Sequence, residues 1–249
     1  RDVLIVSSLY DLYIFEEDGQ LYELLRSEYQ GLNLSHTPEL TQVSSGKQAL
    51  ELLEDKKRFD LIITTLHIED MNPAQFAEKV RKESIDIPLV MLAFENRELA
   101  ELLSRQENEL FDQIFIWLGD YRLILAIIKY LEDKMNLEHD THVMGVQSIL
   151  FIEDSIRYYS LMLPTLYIEL MNQSRRLIKE GINLSQKNVR QRARPKLLLC
   201  NTYEEAEGYF NIYHETVLGV ISDIEFPKNG KKLEDAGLRF ARQIRSCHP

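Results

Sequence analysis

Val3-Leu4-Ile5-Val6-Ser7-Ser8 has a counterpart in Ile149-Leu150-Phe151-Ile152-Glu153-Asp154, and this pair decides the fold. Each is a continuous apolar run closed by two polar residues. Two further correspondences follow in the same order along the chain. Gly31-Leu32-Asn33-Leu34-Ser35 recurs as Gly181-Ile182-Asn183-Leu184-Ser185, and Leu61-Ile62-Ile63-Thr64-Thr65 as Gly219-Val220-Ile221-Ser222-Asp223. The offset widens along the chain, as insertions in connecting loops would make it. One shared pentapeptide is weak evidence; three ordered matches indicate an internal duplication.

Each copy alternates short apolar runs with helical patterns. In the first, strands are expected at 3–8, 40–44, 59–65, 87–94 and 113–117, and helices at 20–29, 47–55, 73–84, 97–106 and 121–135. The runs are continuous rather than alternating, as in parallel sheets covered on both faces. Asp18-Gly19 signals a turn, Ser44, Ser45 and Asn72 are helix-capping types, and Pro73 suits a first helical turn. A β-α order repeated five times predicts a doubly wound parallel sheet with right-handed crossovers. The second copy offers strands at 148–152, 196–200 and 217–222, with helices at 156–180, 203–213 and 235–245. Measured against the first copy, two strands and two helices are missing. The expected organisation is therefore an α/β chain of two flavodoxin-like units, 1–135 and 148–249, the second truncated after its third helix. The polar segment 136–147 is expected to link them. In the flavodoxin-like order, strand 217–222 then becomes a bare apolar edge, which predicts a homodimer through it or coverage by another segment.

The 249 residues carry a formal net charge of −11, which argues against broad nucleic-acid or anionic-membrane binding. No run of apolar residues has the length of a membrane helix, and the first residues lack a secretory signal. With two cysteines and no zinc-like spacing, a reducing cytoplasm is the expected location, and Cys200 reads as a core thiol. One basic stretch stands out: Arg175, Arg176, Lys179, Lys187, Arg190, Arg192, Arg194 and Lys196 against the single acid Glu180. It reads either as a solvated helix face and loop or as a dock for an acidic partner. His139 and His142 flank Asp140 in the expected linker, and His67 follows Thr65; all three histidines read as solvated loop residues. Tyr158, Tyr159, Met162 and Tyr167 lie at near-helical spacing and read as core. No Gly-rich phosphate loop and no nucleophile elbow is present.

Ligands of doubly wound sheets sit beyond the carboxyl ends of the strands, where strand order reverses. In the second copy that principle selects Glu153, Asp154 and Asp223. Three carboxylates brought together there would repel one another unless a divalent cation joined them, and hard oxygen ligands suit Mg²⁺. An Asp beside such an ion is an acceptable nucleophile towards a phosphoryl group.

These residues carry a family resemblance. The run 149–154 resembles the first strand and acidic pair of bacterial response-regulator receiver (CheY-like) domains. Asp223-Ile224-Glu225-Phe226-Pro227-Lys228-Asn229-Gly230 is similar to their phosphoacceptor segment. The resemblance implies that Asp223 is the phosphoacceptor, Asp154 a direct Mg²⁺ ligand, Glu153 an outer acid of the same site, and the Glu225 backbone carbonyl a further ligand. It also implies a histidine kinase or other phosphodonor protein as partner, and a regulatory rather than enzymatic chain. The first copy matches in shape and departs in chemistry. Ser7 and Ser8 stand where the acidic pair belongs, Thr65 at the acceptor position, Ala93 at the family's hydroxyl residue, and no Lys lies near Ile116-Trp117. By this comparison the first unit resembles a pseudo-receiver. The second copy ends before the family's Ser/Thr and Lys would occur. The stretches 9–19 and 59–71 further resemble the amino-terminal regulatory region of bacterial proteins with a pyruvate phosphate dikinase or phosphoenolpyruvate synthase-type domain, which implies an attached phosphotransfer enzyme. The alternative reading is an interaction scaffold in which neither unit is phosphorylated.

Overall fold

The computed structural model describes residues 1–249 apart from 17–19, 33, 35, 55–58, 83–85, 95, 105–106, 180–193 and 248–249. The Asp18-Gly19 turn, Asn33, Ser35, the repeat at 181–185, and Lys187, Arg190 and Arg192 lie outside the described residues. The chain divides into two compact units, Arg1–Leu125 and Ala126–Pro249. Among the described residues no helix is long and apolar enough to cross a membrane.

In the first unit, β1 (Asp2–Val6), β2 (Glu39–Val43), β3 (Leu61–Thr65), β4 (Leu89–Ala93) and β5 (Gln113–Ile116) form one sheet in the order β2-β1-β3-β4-β5. Every neighbouring pair is parallel. The repeated β-α pattern predicts the doubly wound parallel sheet, and the observed order is the flavodoxin-like one that the receiver resemblance implies. The central strands β3 and β4 are buried along their whole length, which explains their unbroken apolar sequence. Helices α1 (Leu9–Glu16), α2 (Leu21–Gly31), α3 (Gly46–Glu54), α4 (Pro73–Lys82) and α5 (Asn96–Ser104) provide the crossovers. The caps follow the sequence. Ser45 Oγ accepts from the Gln48 amide. Asn72 Oδ1 accepts from the Gln75 amide at 2.7 Å while Gln75 Oε1 accepts from the Asn72 amide, a reciprocal capping box before Pro73. Helix α1 was not expected: Leu9, Tyr10 and Tyr13 are exposed while Asp11 is buried, so among its described side chains there is no buried apolar stripe.

The carboxylate of Asp70, in the loop after β3, accepts from the Gly46 and Lys47 amides at 2.7 and 3.0 Å, closing the first turn of α3. Slight burial pushes this carboxyl up, but the Lys47 and Gly46 amides, its own amide and the charge of Lys79 together hold it below the usual aspartate range. Such a group stabilises fully above its unfolded pKa, and the contribution is lost as pH falls through the lower folded value. Asp70→Ala is expected to cost about 1 kcal/mol at neutral pH. In urea unfolding followed at Trp117, the gap between parent and variant should persist at pH 5 and close only on acidification below about pH 3.8, the ordinary aspartate value. A gap independent of pH would contradict the cap.

The second unit repeats the first three steps. Strands β6 (Ser148–Ile152), β7 (Lys196–Cys200) and β8 (Val217–Ser222) form a parallel sheet in the order β7-β6-β8, matching β2-β1-β3. Helix α6 (Arg122–His142) runs through the segment expected to be a linker. Its Leu137 joins the core of this unit with Leu150, Ile152, Leu198, Cys200, Phe210, Phe226 and Phe240. His139 and His142 are therefore helical rather than loop residues. Helix α7 (Ile156–Lys179) buries Tyr159 and Tyr167 but leaves Tyr158 and Met162 exposed, so only half of that aromatic-Met set is core. Cys200 is a core thiol as expected, its pKa pushed up by burial. Helices α8 (Tyr203–Tyr213) and α9 (Ala236–Cys247) follow β7 and β8.

The basic stretch does not stay in solvent at its end. Arg194 donates two hydrogen bonds to the fully buried Asp133 of α6, at 2.8 and 2.7 Å, and Lys196 reaches both Asp133 and Asp140. Among the described residues no strand pairs with the outer edge of β8. Leu218 is 55% exposed there, beside a groove of about 730 Å³ lined by Phe210, Val217, Val220, Leu238 and Ile244. Coverage of this edge by another segment is thus not met among the described residues.

Candidate phosphoryl and metal site

The carboxy-terminal ends of β6 and β8 carry the acids. Strand β6 ends at Ile152 and β8 at Ser222, and their parallel register pairs these two residues. Glu153, Asp154 and Asp223 are thereby placed on one lip of the sheet, though about 70 residues separate them in sequence. The backbone fixes them: the Glu153 amide donates to the Cys200 carbonyl at 3.0 Å and the Asp223 amide to the Ile152 carbonyl at 2.9 Å. One carboxylate oxygen from each of the three residues lies within 4.8 Å of the others. Oxygens on one Mg²⁺ stand about 3 Å apart when adjacent and about 4.2 Å when opposite, so small side-chain movements bring the three into coordinating range.

The electrostatics of the three acids suit a positive counter-charge. The Glu153 carboxyl is pushed up, first by burial and then by the charges of Asp223 and Asp154; the Ser155 amide and Lys232 oppose the shift. Asp154 Oδ1 is buried with no hydrogen-bond partner, while its Oδ2 lies 3.6 Å from Lys232 Nζ. An orphaned buried carboxylate oxygen is costly unless something positive meets it. These residues fit a hard divalent ion. Glu225, two residues beyond Asp223 in the same loop, has an exposed side chain.

Two features of this site escape a reading by strand ends alone. Phe226–Lys228 and Lys231–Leu233 form an antiparallel hairpin, β9 and β10, turning at Asn229 and Gly230 with φ of 51° and 72°. The Asn-Gly pair is the sequence signal for that turn. Gly237, in the first turn of α9, donates its amide to the Ile224 carbonyl, and a Cβ there would collide with the Asp223 carbonyl oxygen. The close approach requires glycine and holds the Asp223 loop against α9.

Among the described residues the equivalent lip of the first unit has no such cluster. Ser7 is buried and its hydroxyl donates to the Ser8 carbonyl; Ser8 Oγ accepts from the Asp11 amide; Thr65 Oγ1 donates to the His67 carbonyl at 3.0 Å. Ala93 ends β4, fully buried, and Trp117 follows β5. His67, expected as a solvated loop residue, has Nδ1 3.1 Å from the buried carboxylate of Asp11. Hydroxyls tied to backbone neighbours in this way offer no charged ligand for a divalent ion.

No protein-family model matches the chain. No curated protein matches it either. Among solved structures it is similar to the response regulator TrrA from Thermotoga maritima, determined in complex with Mg²⁺–BeF, at 18% identity over 53% of this chain and 98% of that chain, with a TM-score of 0.40. The chemotaxis response regulator CheY4 of Vibrio cholerae aligns at 20% identity over 51% of this chain and 95% of that one, TM-score 0.37. A signal receiver domain of an HD domain-containing protein from Pseudomonas fluorescens aligns at 19% identity, covering 55% and 94%, TM-score 0.35. Each likeness spans about half of this chain. The flavodoxin-like strand order stands on the register pairs of its own sheets.

Proposed function

We propose that this chain is a regulatory signalling module of response-regulator receiver type, in which Asp223 accepts a phosphoryl group beside a Mg²⁺ ion. The observation that carries the reading is the meeting of Asp223 with Glu153 and Asp154 around a buried, unpartnered carboxylate oxygen. Asp223 Oδ attacks the phosphorus of a donor; a P–O bond to the carboxylate forms as the donor's bond to phosphorus breaks, and the leaving group takes the electron pair. The ion supplies charge neutralisation for the transferring oxygens when bound. Asp154, Asp223 and the Glu225 backbone carbonyl would hold it, with Glu153 acting from the second rank of ligands. A histidine kinase or similar phosphodonor protein is the fitting partner, with a reducing cytoplasm as location. The first unit acts as a pseudo-receiver without phosphorylation, and the second as the acidic receiver unit. The module would be non-enzymatic itself, governing an attached phosphotransfer enzyme.

A second reading, a scaffold phosphorylated in neither unit, is favoured by the backbone-bound Ser7, Ser8 and Thr65. A homodimer through the open edge of β8 fits either reading. Incubation of the full chain with acetyl phosphate and Mg²⁺ separates them. The receiver reading expects an acid-stable, base-labile phosphoryl label at Asp223, removed by Asp223→Ala. A label that survives in that variant rejects Asp223 as the acceptor, and no label at all favours the scaffold.

A further inference from the structure

We infer that Lys232, on the β9–β10 hairpin, is the ammonium that binds the phosphoryl group carried by Asp223. The inference rests on the reading of Asp223 as phosphoacceptor and adds a residue to that site. Charge requires such a group. The three ionised carboxylates sum to −3, and a divalent cation leaves −1. Converting the Asp223 carboxylate to an acyl phosphate replaces one negative charge with about two, so the occupied site would stand near −2. A second cation is needed, and Lys232 Nζ stands 3.6 Å from Asp154 Oδ2. Its charge already reaches Glu153, whose raised carboxyl it partly relieves.

The hairpin is built to present that ammonium. Phe226 at its start is fully buried and stacks on Tyr203 with ring centroids 6.0 Å apart. The Asn229 amide donates to Glu204 Oε1 at 2.9 Å, and Lys228 Nζ lies 3.6 Å from the centre of the Tyr203 ring. Leu233 packs against the core at the other end. Lys228 is thus occupied by an aromatic face, whereas Lys232 points to the acids. Its side chain is 59% exposed, on a four-carbon stem free to swing from Asp154 to an incoming phosphoryl oxygen. A strand-borne lysine held at its base and mobile at its tip is suited to follow the group as it arrives.

Beryllium fluoride, which mimics an aspartyl phosphoryl group, tests this on the full chain with MgCl₂, read by ¹⁹F NMR. Lys232→Gln should weaken its binding about tenfold or more, the size of a lost charge-assisted hydrogen bond. Lys232→Arg should restore part of the affinity, and Lys231→Gln should leave it unchanged. Binding of Mg²⁺ alone should not weaken in Lys232→Gln, because a competing positive charge is gone. Equal beryllium fluoride affinity in Lys232→Gln and the parent overturns the inference while leaving the Asp223 reading intact. So does a parallel loss of Mg²⁺ binding, which would trace the effect to the ion. No binding by the parent, or binding that survives Asp223→Asn, overturns the phosphoacceptor reading and the Lys232 inference with it.

Discussion

Replacement of Asp133 by Ala is expected to cost the second unit about 3–5 kcal/mol, the price of leaving a buried counter-charge alone. Asp133 has no exposed surface. Its carboxylate takes two hydrogen bonds from Arg194, one from the Leu197 amide at 3.0 Å and one from the Tyr167 hydroxyl at 3.2 Å. Lys196 lies 3.5 Å away and also pairs with Asp140. Two acids and two bases thus form a largely buried set of balanced charge, only Asp140 part-exposed, joining α6 to the start of β7. Burial works against the Arg194 charge, but the charge and hydrogen bonds of Asp133 outweigh it and raise the arginine's pKa. Without Asp133, the guanidinium and the Leu197 amide lose their acceptor in a dry setting. Trp117 lies in the other unit, so the readout should be local: hydrogen exchange of the Leu197–Cys200 amides, expected to accelerate by on the order of 100-fold or more. Replacing the pair together, Asp133→Leu with Arg194→Met, should recover much of the loss, since an apolar pair removes both charges at once. Exchange at the parent's rate in Asp133→Ala would show that the network contributes little.

Asp154→Ala is expected to weaken Mg²⁺ binding by at least about 100-fold, beyond the 10–100-fold typical of groups that only support a ligand. The direction of its effect on stability is opposite, which makes the pair of measurements diagnostic. Asp154 brings a buried oxygen with no partner and adds to the repulsion that raises Glu153. Removing it relieves both, so the thermal midpoint of the metal-free chain should stay level or rise. Calorimetric titration with MgCl₂ beside thermal unfolding in EDTA measures the two. Unchanged Mg²⁺ affinity would detach Asp154 from the ion, and a large drop in the metal-free midpoint would make its role structural.

Much of this was legible along the chain. All three strands of the second unit fall where their apolar runs lie; for β6 and β7 this is because a strand buried on both faces admits no polar interruption. Cap positions at Ser45 and Asn72 were equally readable, since an orphan amide needs an acceptor at a fixed spacing. Other elements were hidden for physical reasons. Helix α1 carries exposed Tyr10 and Tyr13 around a buried Asp11, so its described side chains lack the 3.6-residue apolar stripe. The β9–β10 hairpin had its Asn229-Gly230 signal in plain view, but only three residues flank the turn on each side, too few for a strand pattern. The polar segment after residue 135 looks like a linker, yet its Leu137 is core and the helix continues to His142.

The sequence by itself determined the duplicated β-α order, the parallel class of both sheets and the acids at the strand ends of the second copy, because periodicity and residue type are local properties. Which charges meet was decided by tertiary structure alone. Glu153 and Asp223 become neighbours only through the pairing of β6 with β8, and Asp133 finds Arg194 across 61 positions of sequence. Lys232 reaches Asp154 only because a turn folds its hairpin back towards the lip of the sheet. Electrostatic energy depends on distance through space and on burial, and neither is written in the order of residues.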